Sequence, residues 1–79
     1  KIKYISIEFV SELYHNSEKC IDYLYNLSNQ NCDFNYVYRE NDHYYFKDWI
    51  SIDEIKSYLI NVNDPIYEFG DIFIRMNNV

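Results

Sequence analysis

The sequence predicts an α+β fold, a small split β-α-β sandwich of order βαββαβ, ferredoxin-like, with two helices on one face of an antiparallel sheet. Three observations carry this reading. The first ten residues alternate in the manner of a strand, two later segments repeat apolar residues at helical spacing, and a tyrosine-rich stretch reads as a hairpin. At 79 residues the chain is one domain, 1–79. Chains below about 70–80 residues build thin cores, so each apolar face needs a partner.

In KIKYISIEFV, residues 1–10, Ile5, Ile7 and Phe9 share one face while Tyr4, Ser6 and Glu8 share the other. Helical spacing starts at Ser11, a suitable N-cap, with Glu12 in the first turn. Leu13, Ser17, Cys20, Ile21, Leu24 and Leu27 form its apolar stripe, and Ser28–Asn31 ends it with turn-forming side chains.

FNYVYRE and HYYFKDW, joined through Asn41-Asp42, form the expected hairpin. Its register places Val37, Arg39, Tyr44 and Phe46 on one face, and Phe34, Tyr36, Tyr38, Tyr45, Lys47 and Trp49 on the other. Ser51-Ile52-Asp53-Glu54 is a capping box, flanked by Ile50 and Ile55 at hydrophobic-staple positions. Ile52, Ile55, Leu59 and Val62 continue the second helix, which Asn63-Asp64-Pro65 terminates. The segment IYEFGDIFIRM is a strand bulged at Gly70, or a second hairpin turning at Gly70-Asp71.

Charge narrows the classes of function. Thirteen acidic side chains oppose seven basic ones, a formal net charge of -6. AT-rich codons account for many Tyr and Asn, yet the same bias should enrich Lys, and there are five Lys against ten Asn. The acidity is therefore informative about partners. Direct nucleic-acid binding is opposed, because that affinity comes mainly from cations meeting phosphates. HYYFKDW also lacks the basic-Gly-aromatic pattern of RNA-recognition strands. No apolar run approaches the ~20 residues that cross a bilayer, and no basic-then-apolar leader is visible. A cytoplasmic location with free thiols at Cys20 and Cys32 is expected, with no membrane association.

Aromatic and acidic side chains are the candidate site. If the hairpin's tyrosine-rich side is open, Tyr36, Tyr38, Tyr45 and Trp49 form a contiguous amphipathic patch of the kind that marks interfaces. The alternative makes that side the core and turns the Val37, Tyr44 and Phe46 side outward. Glu12, Glu18 and Asp22 lie on the outer side of the first helix, and Glu40 and Asp42 mark the hairpin turn. Spread carboxylates can imitate the spaced charges of a phosphate backbone, although most surface acids only keep a protein soluble. His15, His43, Cys20 and Cys32 show no metal-ligand spacing such as CxxC or HExxH. Neither a Gly-rich phosphate loop nor a nucleophile elbow is present. A non-enzymatic protein without cofactor or metal is expected.

In size and composition the chain resembles the small acidic inhibitors that phages of AT-rich bacteria deploy against host defences, such as anti-CRISPR and anti-restriction proteins. The resemblance implies a viral inhibitor acting by protein–protein interaction inside the bacterial cell. Its partner would be a basic nucleic-acid-binding protein or ribonucleoprotein. Tyr and Trp would anchor the contact and Asp and Glu would steer it. The alternative is a small regulatory or homo-oligomerising domain, a homodimer through the open sheet face or a sheet edge.

Overall fold

The computed structural model describes residues 2–62 and 68–77. Strand β1 spans Ile2–Val10, a 3-10 turn follows at Ser11–Leu13, and helix α1 spans Tyr14–Leu27. Strand β2 is Cys32–Tyr38, helix α2 is Ile52–Asn61 and strand β3 is Phe69–Asn77. The fold is α+β, with two helices and a three-stranded antiparallel sheet of order β1-β3-β2. β3 runs antiparallel to both neighbours, so β1 and β2 are parallel with the last strand inserted between them.

β3 is the central strand, with one face apolar and buried and the other mixed and half-buried. Gly70, Ile72, Ile74 and Met76 are buried, while Asp71, Phe73, Arg75 and Asn77 are half-buried. The register sets Ile5 and Phe34 beside Ile74, and Ile7 and Tyr36 beside Ile72. These side chains share one face with Phe9 and pack against Ile21 of α1 and Ile55 and Leu59 of α2. Each such Leu or Ile, fully buried, contributes roughly 1.5–3 kcal/mol relative to exposure. Gly70 is required by this packing. A Cβ there would overlap the Val37 carbonyl and the Tyr36 phenol ring.

The β1 alternation and the capping box are as expected. The Ser51 hydroxyl accepts from the Glu54 backbone N–H at 3.2 Å, and the Glu54 carboxylate accepts from the Ser51 N–H at 3.0 Å. The Ser51 backbone N–H first, and the Ser51 side chain second, hold the Glu54 carboxyl below the ordinary carboxylate range. The Asn63-Asp64-Pro65 terminator lies outside the described residues.

Three expectations are corrected and one open alternative is decided. The described residues contain three strands rather than four, because residues 39–49 form a loop in place of the hairpin's second strand. Only a Phe34–Ile50 bridge and a Tyr45 N–H bond to the Tyr36 carbonyl keep the trace of a return strand. The left-handed backbone of Arg39, φ 53°, turns the chain out of β2 before Asn41-Asp42 is reached. The C-terminal segment is one strand, paired without a bulge through Gly70, not a second hairpin. Helix α1 begins at Tyr14, and the Ser11 hydroxyl does not cap it but accepts from the Glu68 N–H at 3.0 Å. Finally, α1 buries Tyr14, Ser17 and Ile21, whereas Leu13, Cys20 and Leu27 are exposed. Its buried stripe is rotated by part of a turn from the expected one, because Tyr14 and Ser28 reach the core.

Candidate protein-binding surface

The helices cover one sheet face. The opposite face carries Tyr4, Ser6 and Glu8 of β1, Asp71, Phe73 and Arg75 of β3, and Asp33, Asn35 and Val37 of β2. Loop 39–49 folds over part of this face. Asn35, 1% exposed, is its latch. The Asn35 side-chain oxygen accepts from the backbone N–H of Tyr36 at 2.8 Å and of Phe46 at 3.1 Å. Its amide nitrogen donates to the Phe46 carbonyl at 3.1 Å. One side chain thus supplies the bonds that a paired strand would have made, which is how an irregular loop lies against a sheet without orphaned polar groups.

The latch sends neighbouring aromatic rings to opposite sides. On the helix side, Tyr45 and Phe46 each stand 5.1 Å from Tyr58, which lies 5.4 Å from Tyr36. On the open side, Tyr44 meets Phe73 at 5.4 Å and Trp49 at 5.1 Å, and Trp49 meets Tyr4 at 6.0 Å. Phe73, Tyr44, Trp49 and Tyr4 therefore form a continuous aromatic run across the sheet. Arg75 braces it, its guanidinium 4.7 Å from the Trp49 ring centre. The same guanidinium donates two bonds to Asp33, at 2.9 and 2.6 Å, so this cation is neutralised within the protein. Asp33 in turn raises the Arg75 pKa.

Carboxylates lie on the same face and in the adjoining loop, which also exposes Arg39 and Lys47. Glu8 and Asp71 are register partners on adjacent strands. Glu40, Asp42 and Asp48 are exposed in the loop. A cleft of about 430 Å³ opens between Val37, Asp71 and Phe73 of the sheet and Asp42, His43 and Tyr44 of the loop. His43 Nδ1 lies 3.2 Å from the Asp42 carboxylate. Among the described residues no group of three His, Cys, Asp or Glu is placed to hold a metal ion, and no helix is long and apolar enough to cross a membrane.

The expected patch of Tyr36, Tyr38, Tyr45 and Trp49 is not brought together. Tyr36 is fully buried in the core, its hydroxyl without a hydrogen-bond partner among the described residues. Tyr38 is half-buried, its hydroxyl accepting from Arg39 Nε at 2.6 Å. Tyr45 is 56% exposed but lies on the helix side, and Trp49 alone of the four belongs to the open-face run. The reversed facing, with Val37 and Tyr44 outward, is the one found, except that Phe46 turns inward to Tyr58.

Among the acids, Glu40 and Asp42 sit in the loop beside the aromatic run. Glu12, Glu18 and Asp22 lie apart from it, on the turn before α1 and on α1 itself. Glu12 is exposed, Glu18 accepts from the Tyr14 hydroxyl at 3.3 Å, and Asp22 is paired with Lys56 of α2. Tyr4, Phe73, Asp71 and Asn35 were not singled out from the sequence. The alternation of β1 already placed Tyr4 and Glu8 together, which was the available signal for this face. No protein-family model, curated protein or solved structure matches the chain.

Proposed function

We propose that the chain is a non-enzymatic binding protein that occupies a basic, nucleic-acid-binding surface of another protein. One observation carries the reading: a partly exposed aromatic run across a sheet face, with Glu8 and Asp71 on the same face and Glu40, Asp42 and Asp48 exposed in the adjoining loop. Tyr4 is 57% exposed and Tyr44 is 42% exposed, so both can contribute apolar area to a partner. Aromatic anchors inside a charged rim are the usual composition of an energetic interface. The carboxylates supply steering toward a cationic groove. Arg75, at the centre of the face, does not offset them because Asp33 already holds it.

Within that class, the reading extends to a phage-type inhibitor of a host defence complex, an anti-CRISPR or anti-restriction protein working in the bacterial cytoplasm. The support is size, acidity and this surface. The test is competition. Purified guide-RNA nucleases and restriction endonucleases are assayed for DNA binding with increasing amounts of the chain. The reading expects stoichiometric loss of DNA binding by at least one of them, and loss of that inhibition in an Asp42→Lys/Asp71→Lys variant of unchanged circular dichroism. Inhibition that the charge-reversed variant retains would remove this surface from the account.

A further inference from the structure

The sheet's two edges differ. Along β2, the outward backbone groups are taken: the Phe34 N–H and carbonyl bond Ile50, and the Tyr36 carbonyl accepts from Tyr45. Along β1, nothing among the described residues pairs with the outer edge. The Ser11 N–H bonds the Glu68 carbonyl, so by alternation the odd residues of β1 bond β3 and the even ones point outward. These are Ile2, Tyr4, Ser6, Glu8 and Val10.

A second feature runs along the same edge. Leu13 of the 3-10 turn and Asn16, Cys20, Tyr23 and Leu27 of α1 repeat at spacings of three and four along the flank beside β1. None is charged, and Leu13, Tyr23 and Leu27 are 55%, 67% and 60% exposed. Two grooves, of about 360 and 150 Å³, lie between this flank and β1, and Ile7 and Cys20 line both. An open strand edge beside an uncharged helical seam of this spacing is built for a strand and a helix together.

We infer that a second copy of this chain occupies the edge, β1 pairing antiparallel with its partner's β1 about a two-fold axis at Ser6, and α1 meeting α1. Full overlap of Ile2–Val10 on itself uses all five outward residues, pairing Ile2 with Val10, Tyr4 with Glu8 and Ser6 with Ser6. That register allows about ten backbone hydrogen bonds between the chains. On the helix face it sets Ile5 opposite Ile7, closing the grooves with apolar contact. Charge selects the occupant as well. The chain carries -6, yet β1 from Ile2 to Val10 holds only Lys3 and Glu8, and the groove beside the helical seam adds only Lys19. This edge is therefore where two copies meet with least repulsion, whereas a basic partner is drawn to the acidic face. The result is a continuous six-stranded sheet with two copies of the proposed binding face.

Sedimentation and light scattering of the full chain test this directly. The expected mass is twice 9.8 kDa. Ser6→Pro removes an outward N–H that has no partner among the described residues, and should raise the dimer dissociation constant by about tenfold or more. Tyr23→Lys/Leu27→Lys changes two exposed side chains and gives an independent, fold-preserving disruption. In a Cys32→Ser background, a short bis-maleimide should join two chains through Cys20, which lies beside the axis. A chain of 9.8 kDa up to its solubility limit would overturn the inference, as would a dimer that both disruptions leave intact. Neither result would bear on DNA-competition by the acidic face, which is tested separately.

Discussion

Tyr36 and Tyr58 show how one residue type serves two purposes in this chain. Both lie in the aromatic cluster under the helices, and burial raises their phenol pKa values well above 10, with the Glu68 carboxylate adding to the effect. Burial and the Glu18 carboxylate raise Tyr14 in the same sense. The linked effect on stability has a definite sign. Each phenol binds its proton more tightly folded than unfolded, so the contribution is complete below about pH 10 and is lost as the pH rises further. In an alkaline titration followed at 295 nm, these tyrosines should ionise in a steep step that coincides with loss of circular dichroism. Smooth ionisation of all ten tyrosines near pH 10 with the fold intact would contradict this placement. Exposed Tyr4 and Tyr44, by contrast, are available to a partner. The sequence shows ten tyrosines but not this division, because a phenol is at home in a core or at a surface.

At the scale of elements, loop 39–49 depends on Asn35 and helix α2 on its capping box. Asn35→Ala leaves the Phe46 N–H and carbonyl and the Tyr36 N–H without their side-chain partner. It should cost about 1–3 kcal/mol, with Trp49 emission shifting to the red as the loop loosens. An unchanged urea midpoint and unchanged emission would show that the loop is held by its rings alone. Ser51→Ala should cost about 1 kcal/mol of helix stability. Because Glu54 is depressed, its contribution is present above the ordinary carboxylate pKa and fades as the pH falls through the lowered value. Between pH 5 and pH 3 the thermal midpoint should fall more in the native chain than in Glu54→Gln; equal slopes would show that the cap carries no pH dependence.

These elements also mark how far the sequence could be read. The capping box and the β1 alternation were legible because their partners lie within a few residues. The α1 stripe was only half legible. Leu13, Cys20 and Leu27 satisfy helical spacing, and which flank turns inward is decided by the distant sheet. Asn41-Asp42 is a good local turn, so the local pattern favours a hairpin that the fold does not form. Arg39 turns the chain earlier, and Asn35, four residues upstream, substitutes side-chain bonds for the ladder. No local pattern announces that exchange.

For the whole molecule, the net charge of -6 acquires a distribution. Some acids are used internally: Asp33 holds Arg75, Asp22 holds Lys56, and Glu54 caps α2. Glu8 and Asp71 lie on the aromatic face, and Glu40, Asp42 and Asp48 lie in the adjoining loop, Asp42 in contact with His43. The β1 edge, nearly neutral, lies on the other side of the sheet from the loop's anchor. The proposed acidic binding face and the proposed self-pairing edge would together account for where charge is concentrated and where it is withheld.

The measurement closest to this account is the salt dependence of the dissociation constant for whichever nuclease the chain inhibits. It should be made with the native chain and with Glu40→Gln/Asp42→Asn/Asp48→Asn. The account predicts binding that weakens steeply as salt rises, and a variant about tenfold or more weaker with a shallower slope. Affinity that is indifferent to salt, or a variant that binds as tightly as the native chain, would contradict it.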